Sequence, residues 1–150
     1  MILAEPSNPH FADQIRESFG KQAIMTLIGA ELGRVEPGLV EIKLSCRSDL
    51  TQQHGYLHAG IVSTIADSAC AYAAFSLMPP DSEVMSVEFK VNLLRPANAS
   101  AFLARGEVIK PGKTLTVVRA DVFGVSERNE SQLVATMQGT MICLRKKRSN

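Results

Sequence analysis

The sequence predicts an α+β fold in which an antiparallel six-stranded sheet wraps around one long central helix, with an N-terminal flanking helix beside it. Three observations carry this reading. Residues 58–78 run without proline, are apolar on several faces and rich in Ala, Ser and Thr, and end at Pro79-Pro80. Six other segments have strand length and either alternate or run apolar. The stretches joining most of them are short and turn-forming, which favours antiparallel neighbours. The chain has 150 residues, 45% apolar and 21% charged, enough for one domain spanning 1–150 with a core of its own.

In chain order, Phe11, Ile15, Phe19, Ile24 and Leu27 recur every three to five residues. This predicts an amphipathic helix, interrupted near Gly20, within an N-terminal helical segment 1–28 that packs as a lid or flank. Ala30–Glu36 and Leu39–Cys46 read as a hairpin around Pro37-Gly38, where proline presets φ and glycine supplies a positive φ. Val40, Ile42, Leu44 and Cys46 alternate with Leu39, Glu41, Lys43 and Ser45, so one face is expected buried and the other wet. The run 58–78 is the central helix, buried and closely approached by other backbones because its residues are small. Val84–Leu94, Ala101–Ile109, Thr114–Val125 and Leu133–Leu144 follow as strands, expected to form a meander. The closing run Arg145–Arg148, in the tail 145–150, reads as a solvated basic tail. Such a sheet leaves two edges open, and joining edges across a two-fold axis removes one per subunit, so a homodimer is expected.

Charge and cysteine usage exclude several classes. Sixteen Lys+Arg against 15 Asp+Glu leave +1, no field for nucleic acid or an anionic membrane. Cys46, Cys70 and Cys143 are odd in number and lack C-x-x-C spacing, which argues against a disulfide framework or a zinc ribbon and for a reducing compartment. The start, Met1 to Pro6, has no basic region followed by an apolar run, and no apolar stretch reaches 18 residues. The expected location is cytoplasmic.

Candidate chemistry begins at Gln52-Gln53-His54-Gly55-Tyr56-Leu57-His58-Ala59-Gly60, a polar loop leading directly into the apolar helix. The first N–H groups of a helix lack partners within it and carry the positive end of its dipole, so an oxyanion or polarised carbonyl is well served there. Asp67 stands inside the same helix between apolar neighbours, where burial of an unpaired carboxylate is expensive. Two readings stay open: it accepts hydrogen bonds from Ser63 or Thr64 or faces water, or it works in a groove left by the small residues Ser63, Thr64, Cys70 and Ala71. Eight residues separate Ala59 from Asp67, ~12 Å at 1.5 Å per residue. One subunit's carboxylate therefore does not reach its own helix start, whereas two helices running antiparallel across a dimer axis would bring each Asp67 to the partner's Ala59 amide. His10 and His54 read as ordinary surface histidines, and no residue set has metal-ligand spacing. Cys70 reads as a small core residue. Phe75, Met78 and Met85 are core residues or line a pocket.

Gln52, His58-Ala59-Gly60, Asp67, Ser86-Val87 and Lys110-Pro111-Gly112-Lys113-Thr114-Leu115 together resemble the hotdog-fold acyl-CoA thioesterases of the PaaI-like group, over about residues 25–144. That group carries a loop Asn or Gln, then His-Gly-Gly opening the helix, then an acidic residue two turns on; here Ala59 stands at a usual Gly and Gln52 is one methylene longer than Asn. The resemblance implies a single hotdog domain, thioester hydrolysis at a dimer interface, possible pairing of dimers into tetramers, and no cofactor beyond the CoA of the substrate. It implies that the Ala59 N–H polarises the carbonyl, opening with Gly60 the helix, while Gln52 assists from the loop. Asp67 of the partner subunit would act as general base or nucleophile. His58 would orient the loop, Ser86 would place the water, and Lys110, Gly112, Lys113 and Thr114 would lie along the pantetheine and phosphates. Two other functions compete. A hotdog hydratase or dehydratase would pair His58 with Asp67 for β-elimination, and a non-catalytic acyl-CoA-binding module would need a DNA-binding helical region that the first 28 residues do not supply.

Overall fold

The computed structural model describes residues 5–146; the start of the chain and most of the basic tail lie outside the described residues. Its elements are α1 (Phe11–Lys21), α2 (Ala23–Ile28), β1 (Ala30–Glu36), β2 (Leu39–Ser45), α3 (Ala59–Phe75), β3 (Ser82–Leu93), β4 (Ala101–Lys110), β5 (Leu115–Val125) and β6 (Ser131–Arg145), with a short 3₁₀ turn at Ser48–Leu50. All six strands form one antiparallel sheet in the order β1-β2-β4-β5-β6-β3. Alternation decides which side each residue faces. Val40, Ile42 and Leu44 of β2, Phe102, Ala104 and Val108 of β4, and Val118, Ala120 and Val122 of β5 are buried on the concave side, where they close on Val62, Ile65, Ala66, Ala69 and Ala73 of α3.

The small residues of α3 let the sheet approach its backbone. At Gly106 of β4, an added Cβ would stand 2.3 Å from the carbonyl carbon and oxygen of Ala69, so only glycine fits that crossing. The helix is shorter than the run 58–78: it ends at Phe75, and Leu77 and Met78 donate to Ala74 and Phe75 in a tightened last turn. Ser76 explains the stop. Its hydroxyl donates to the Ala73 carbonyl (2.6 Å) and accepts from the Gly38 N–H (2.7 Å), tying the end of α3 to the β1–β2 turn. Gly38 adopts the expected positive φ of 74°.

Three expectations need correction. The strands after α3 are not one meander: β4, β5 and β6 follow one another, but β3 pairs with β6 on the far edge. The segment after β3, read as a hairpin turn, instead crosses the end of the sheet. Leu94 N–H donates to Val134 (2.8 Å), Leu57 N–H to Ala97 (3.0 Å) and Cys46 N–H to Ser100 (2.9 Å), so the chain is handed from β6 past the loop before α3 to β2. The N-terminal helix breaks at Gln22, with extended backbone (φ −81°, ψ 95°), and Gly20 lies inside α1. Finally, the convex face of β2 is not uniformly wet. Glu41 is buried there because the Arg105 guanidinium donates to it at 2.8 Å and Arg34 approaches from the other side. The flank itself is as expected: Phe19 packs on Tyr72 of α3 with ring centroids 6.1 Å apart, and Ser18 bonds the Tyr72 hydroxyl at 3.2 Å.

Candidate active site

The loop before α3 is braced from both sides. Gln52 and Tyr56 bond across it, Gly55 turns it with a φ of 83°, and His58 N–H donates to Leu50 (3.0 Å). His58 is the N-cap of α3: its Nδ1 accepts the Gly60 N–H at 2.8 Å, satisfying one of the amides left open at a helix start. The Gly60 amide is thus taken. Among the described residues, the Ala59 N–H has no hydrogen-bond partner. Ala59 lines a cavity of about 390 Å³ together with Gln52 and with Leu57, Val62, Leu93 and Val134 among its apolar residues. Gln52 stands there with its side-chain carbonyl turned inward, accepting from the backbone N–H of His54 and of Tyr56 (3.4 Å). Its NH₂ is the end left for a ligand, so the loop takes one half of this amide and leaves the donor half.

Asp67 lies elsewhere. Ser63 and Thr64, the neighbours expected as its partners, donate instead to the carbonyls of Ala59 (2.9 Å) and Gly60 (2.8 Å) one turn back. The carboxylate accepts from Ser86 on β3: Ser86 Oγ donates to Asp67 Oδ1 at 2.6 Å. A bulge next to Ser86 produces this contact. Ser86 pairs with Met141 and Glu88 with Thr140, so Val87 is an extra residue that bends the edge strand against α3. Burial pushes the Asp67 carboxyl above the ordinary carboxylate range, and the Ser86 hydrogen bond offsets this in part. The nearby Cys70 thiol is pushed strongly upward by burial and by the Asp67 charge, consistent with a core residue and not a nucleophile. The groove over Asp67 has a volume of about 330 Å³ and includes Gly60, Ser63 and Thr64 on α3, Phe89 on β3 and Gln22 from the α1–α2 joint.

The remaining expected residues fall in two places. Lys110 ends β4, and Gly112, Lys113 and Thr114 lie in the exposed turn that leads to β5, where an added Cβ on Gly112 would stand 2.0 Å from the Leu115 carbonyl oxygen. Thr116 pairs with Met141 and Met141 with Ser86, so this basic turn sits two strands from Ser86, about 10 Å at the usual strand spacing. It shares the Asp67 end of the sheet. Phe75 and Met78 are plain core residues, while Met85 points away from α3 on the outer side of β3 and is 58% exposed. Within one chain the structure therefore gathers Gln52 and Ala59 at one cavity and Asp67 with Gly60 at another, Ser86 being bonded to Asp67. His58 lines neither of these two cavities. Gln22 and Phe89 were not readable as site residues. Their approach to Asp67 depends on contacts across tens of residues, and Gln22 is marked only as the polar residue at a helix break.

A helix cradled by a six-stranded antiparallel sheet, with a polar loop capping its start and a carboxylate inside it, is the architecture of the hotdog-fold thioesterases. The chain belongs to the thioesterase superfamily, whose family model matches residues 54–130. A thioesterase family protein from Silicibacter pomeroyi of known structure is 48% identical, covering 91% of this chain and 99% of its own, with a TM-score of 0.89. The 1,4-dihydroxy-2-naphthoyl-CoA hydrolase of Listeria monocytogenes is 28% identical over 81% of this chain and 94% of its own length. The Escherichia coli PaaI protein shares the fold at 21% identity, covering 92% of this chain and 95% of its own, with a TM-score of 0.76. Thioester hydrolysis is the chemistry this family membership gives the chain. No helix among the described residues is long and apolar enough to cross a membrane.

Proposed function

We propose that the protein hydrolyses an acyl-CoA thioester to free acid and CoA in a site completed by two subunits. One observation carries the reading: the unpartnered Ala59 amide and the Asp67 carboxylate lie on one helix, ~12 Å apart at 1.5 Å per residue, and their residues line different cavities. Each is half of a hydrolytic site. An antiparallel partner helix joins the two halves twice, with Asp67 of one subunit facing the Ala59 amide of the other. The β3 edge supports such a partner, since its backbone is unpaired on one side and Met85, Val87 and Phe89 are exposed along it. The assembly is then a homodimer, with pairing of dimers a further possibility for its outer face.

In this arrangement the Ala59 N–H, at the positive end of the α3 dipole, polarises the thioester carbonyl, and the NH₂ of Gln52 adds a second donor. Asp67, its charge raised in cost by burial, takes a proton from water as general base or attacks as nucleophile, with Ser86 fixing its orientation. The acyl group enters the apolar cavity at Ala59. The pantetheine and phosphates follow the Lys110–Thr114 turn at the Asp67 end, where two lysines are free of ion pairs among the described residues. His58 holds the Gly60 amide through Nδ1 and so serves as the cap of α3, while membership of the thioesterase superfamily weighs for thioester hydrolysis over a His-dependent elimination.

The test is a thiol-release screen over aromatic, short-, medium- and long-chain acyl-CoAs, run beside crotonyl-CoA for hydration. Release of free thiol from at least one thioester, abolished by Asp67→Asn, is the expected result. Hydration of crotonyl-CoA without thiol release, or tight binding of acyl-CoA without turnover over hours, would overturn it.

A further inference from the structure

The groove over Asp67 has a wall that the chemistry described so far leaves unused. The α1–α2 joint opens at Gln22, and the side chain of that residue reaches α3: Ser68 Oγ, itself buried, donates to Gln22 Oε1 at 3.0 Å. The two residues are 46 apart in the chain, and this bond is placed one residue from Asp67. With Oε1 taken, the NH₂ of Gln22 is its remaining hydrogen-bonding end, and it has no partner among the described residues. Asp67 presents the complementary situation, with Oδ1 engaged by Ser86 and Oδ2 without a partner among the described residues. Both side chains line the same groove of about 330 Å³, whose lining holds no titratable side chain other than Asp67.

A water held between them would accept from the Gln22 N–H while donating to Asp67 Oδ2, leaving a lone pair for the carbonyl carbon. We infer that Gln22, clamped by Ser68, is a further residue of the hydrolytic groove, and that its side-chain N–H fixes the water at Asp67. This rests on the reading of Asp67 as the group that activates water. Ser68 is a positioning residue in this scheme, acting only through Gln22. The break of the N-terminal helix thereby gains a use: it is at this extended residue (φ −81°, ψ 95°) that the side chain meets Ser68 of α3.

The experiment compares four variants with the wild type by thiol release across pH, with thermal unfolding of each. Gln22→Met keeps the length and apolar stem while removing the donor, and it should lower kcat about 10-fold with KM within twofold, the size expected for one lost hydrogen bond to a reacting water. Ser68→Ala should lower kcat by a smaller factor in the same manner. Gln22→Glu preserves the acceptor that Ser68 uses but sets a second negative charge in the groove, so the acidic limb of kcat should move up by about one pH unit, a shift a merely structural wall would not give. Wild-type kcat and pH profile in Gln22→Met and Gln22→Glu overturn the inference, as does a loss of activity in all three that only tracks a loss of folded protein at the assay temperature. Asp67→Asn separates the two levels: if it is inactive while the Gln22 variants behave as wild type, the inference alone fails, and if it turns over normally, the reading beneath it fails.

Discussion

At the scale of single residues the site turns on a carboxylate kept in an unfavourable place. Desolvation favours the neutral form of Asp67 in the fold, so its folded pKa is raised above the unfolded value. A carboxyl shifted this way adds stability at low pH that is lost as pH rises through its folded pKa. Asp67→Asn should therefore unfold at a higher temperature than wild type at neutral pH, with the difference shrinking as pH falls below that folded pKa; calorimetry at two pH values measures it. The same substitution should lower kcat by at least ~10², the loss expected on removing a general base or nucleophile. A variant that gains stability and loses turnover marks a functional group, whereas a structural carboxylate loses stability when neutralised. The shift also sets a pH dependence: with Asp67 working ionised, as proposed, the acidic limb of kcat should lie above the ordinary carboxylate pKa of ~4. The unusual position of Asp67 was legible in the sequence, since a lone Asp between Ala66 and Ser68 in an apolar helix asks for a reason. What was not legible is orientation. The Gln52 carbonyl turned into its loop and the Ser86 hydroxyl turned onto Asp67 arise from a turn and a bulge whose geometry no local pattern encodes.

At the scale of elements the decisive contact is between β4 and α3. Gly106→Ala would drive a methyl into the carbonyl of Ala69, where the atom it meets is backbone and has no rotamer to escape through. We expect a loss of about 3 kcal/mol, seen as a drop of roughly 10 °C in Tm for a domain of this size. The hairpin β1–β2 and the long helix were readable because alternation, Pro37-Gly38 and Pro79-Pro80 are local signals. The place of β3 was not. Its register with β6 depends on the crossing made by Leu94 to Ser100, and that crossing is held by backbone bonds to three separate elements, so its few turn-forming residues look the same as a hairpin. The end of α3 was misjudged for a similar reason, because the tie from Ser76 to Gly38 joins positions 38 apart.

At the scale of the whole molecule, the proposed reading makes completeness of the site depend on assembly. Mixing an Asp67→Asn homodimer with one carrying Gln52→Ala and Ala59→Pro tests this, proline being tolerated in the first helical turn while deleting the amide. Random exchange makes about half the dimers mixed with one intact site each, so activity should return to roughly a quarter of wild type. Exchange verified by mass spectrometry without recovery would refute the shared site. Breaking the edge should have the opposite effect on a sound protein: Met85→Lys with Val87→Lys places two charges on β3 outside the Asp67 groove, and ultracentrifugation should show monomers that fold and do not turn over. The seat that Gly106 makes for Ala69 bears on how far such a protein can diversify. With strand backbone resting on helix backbone, a shift of α3 at this crossing would have to move β4 with it, so the seat acts as a datum from which, on the proposed reading, the places of Ala59 and Asp67 toward a partner helix are both set. On that reading the parts open to change for a new acyl group are the loop before the helix, the edge strand and the N-terminal joint, whose residues line the two cavities.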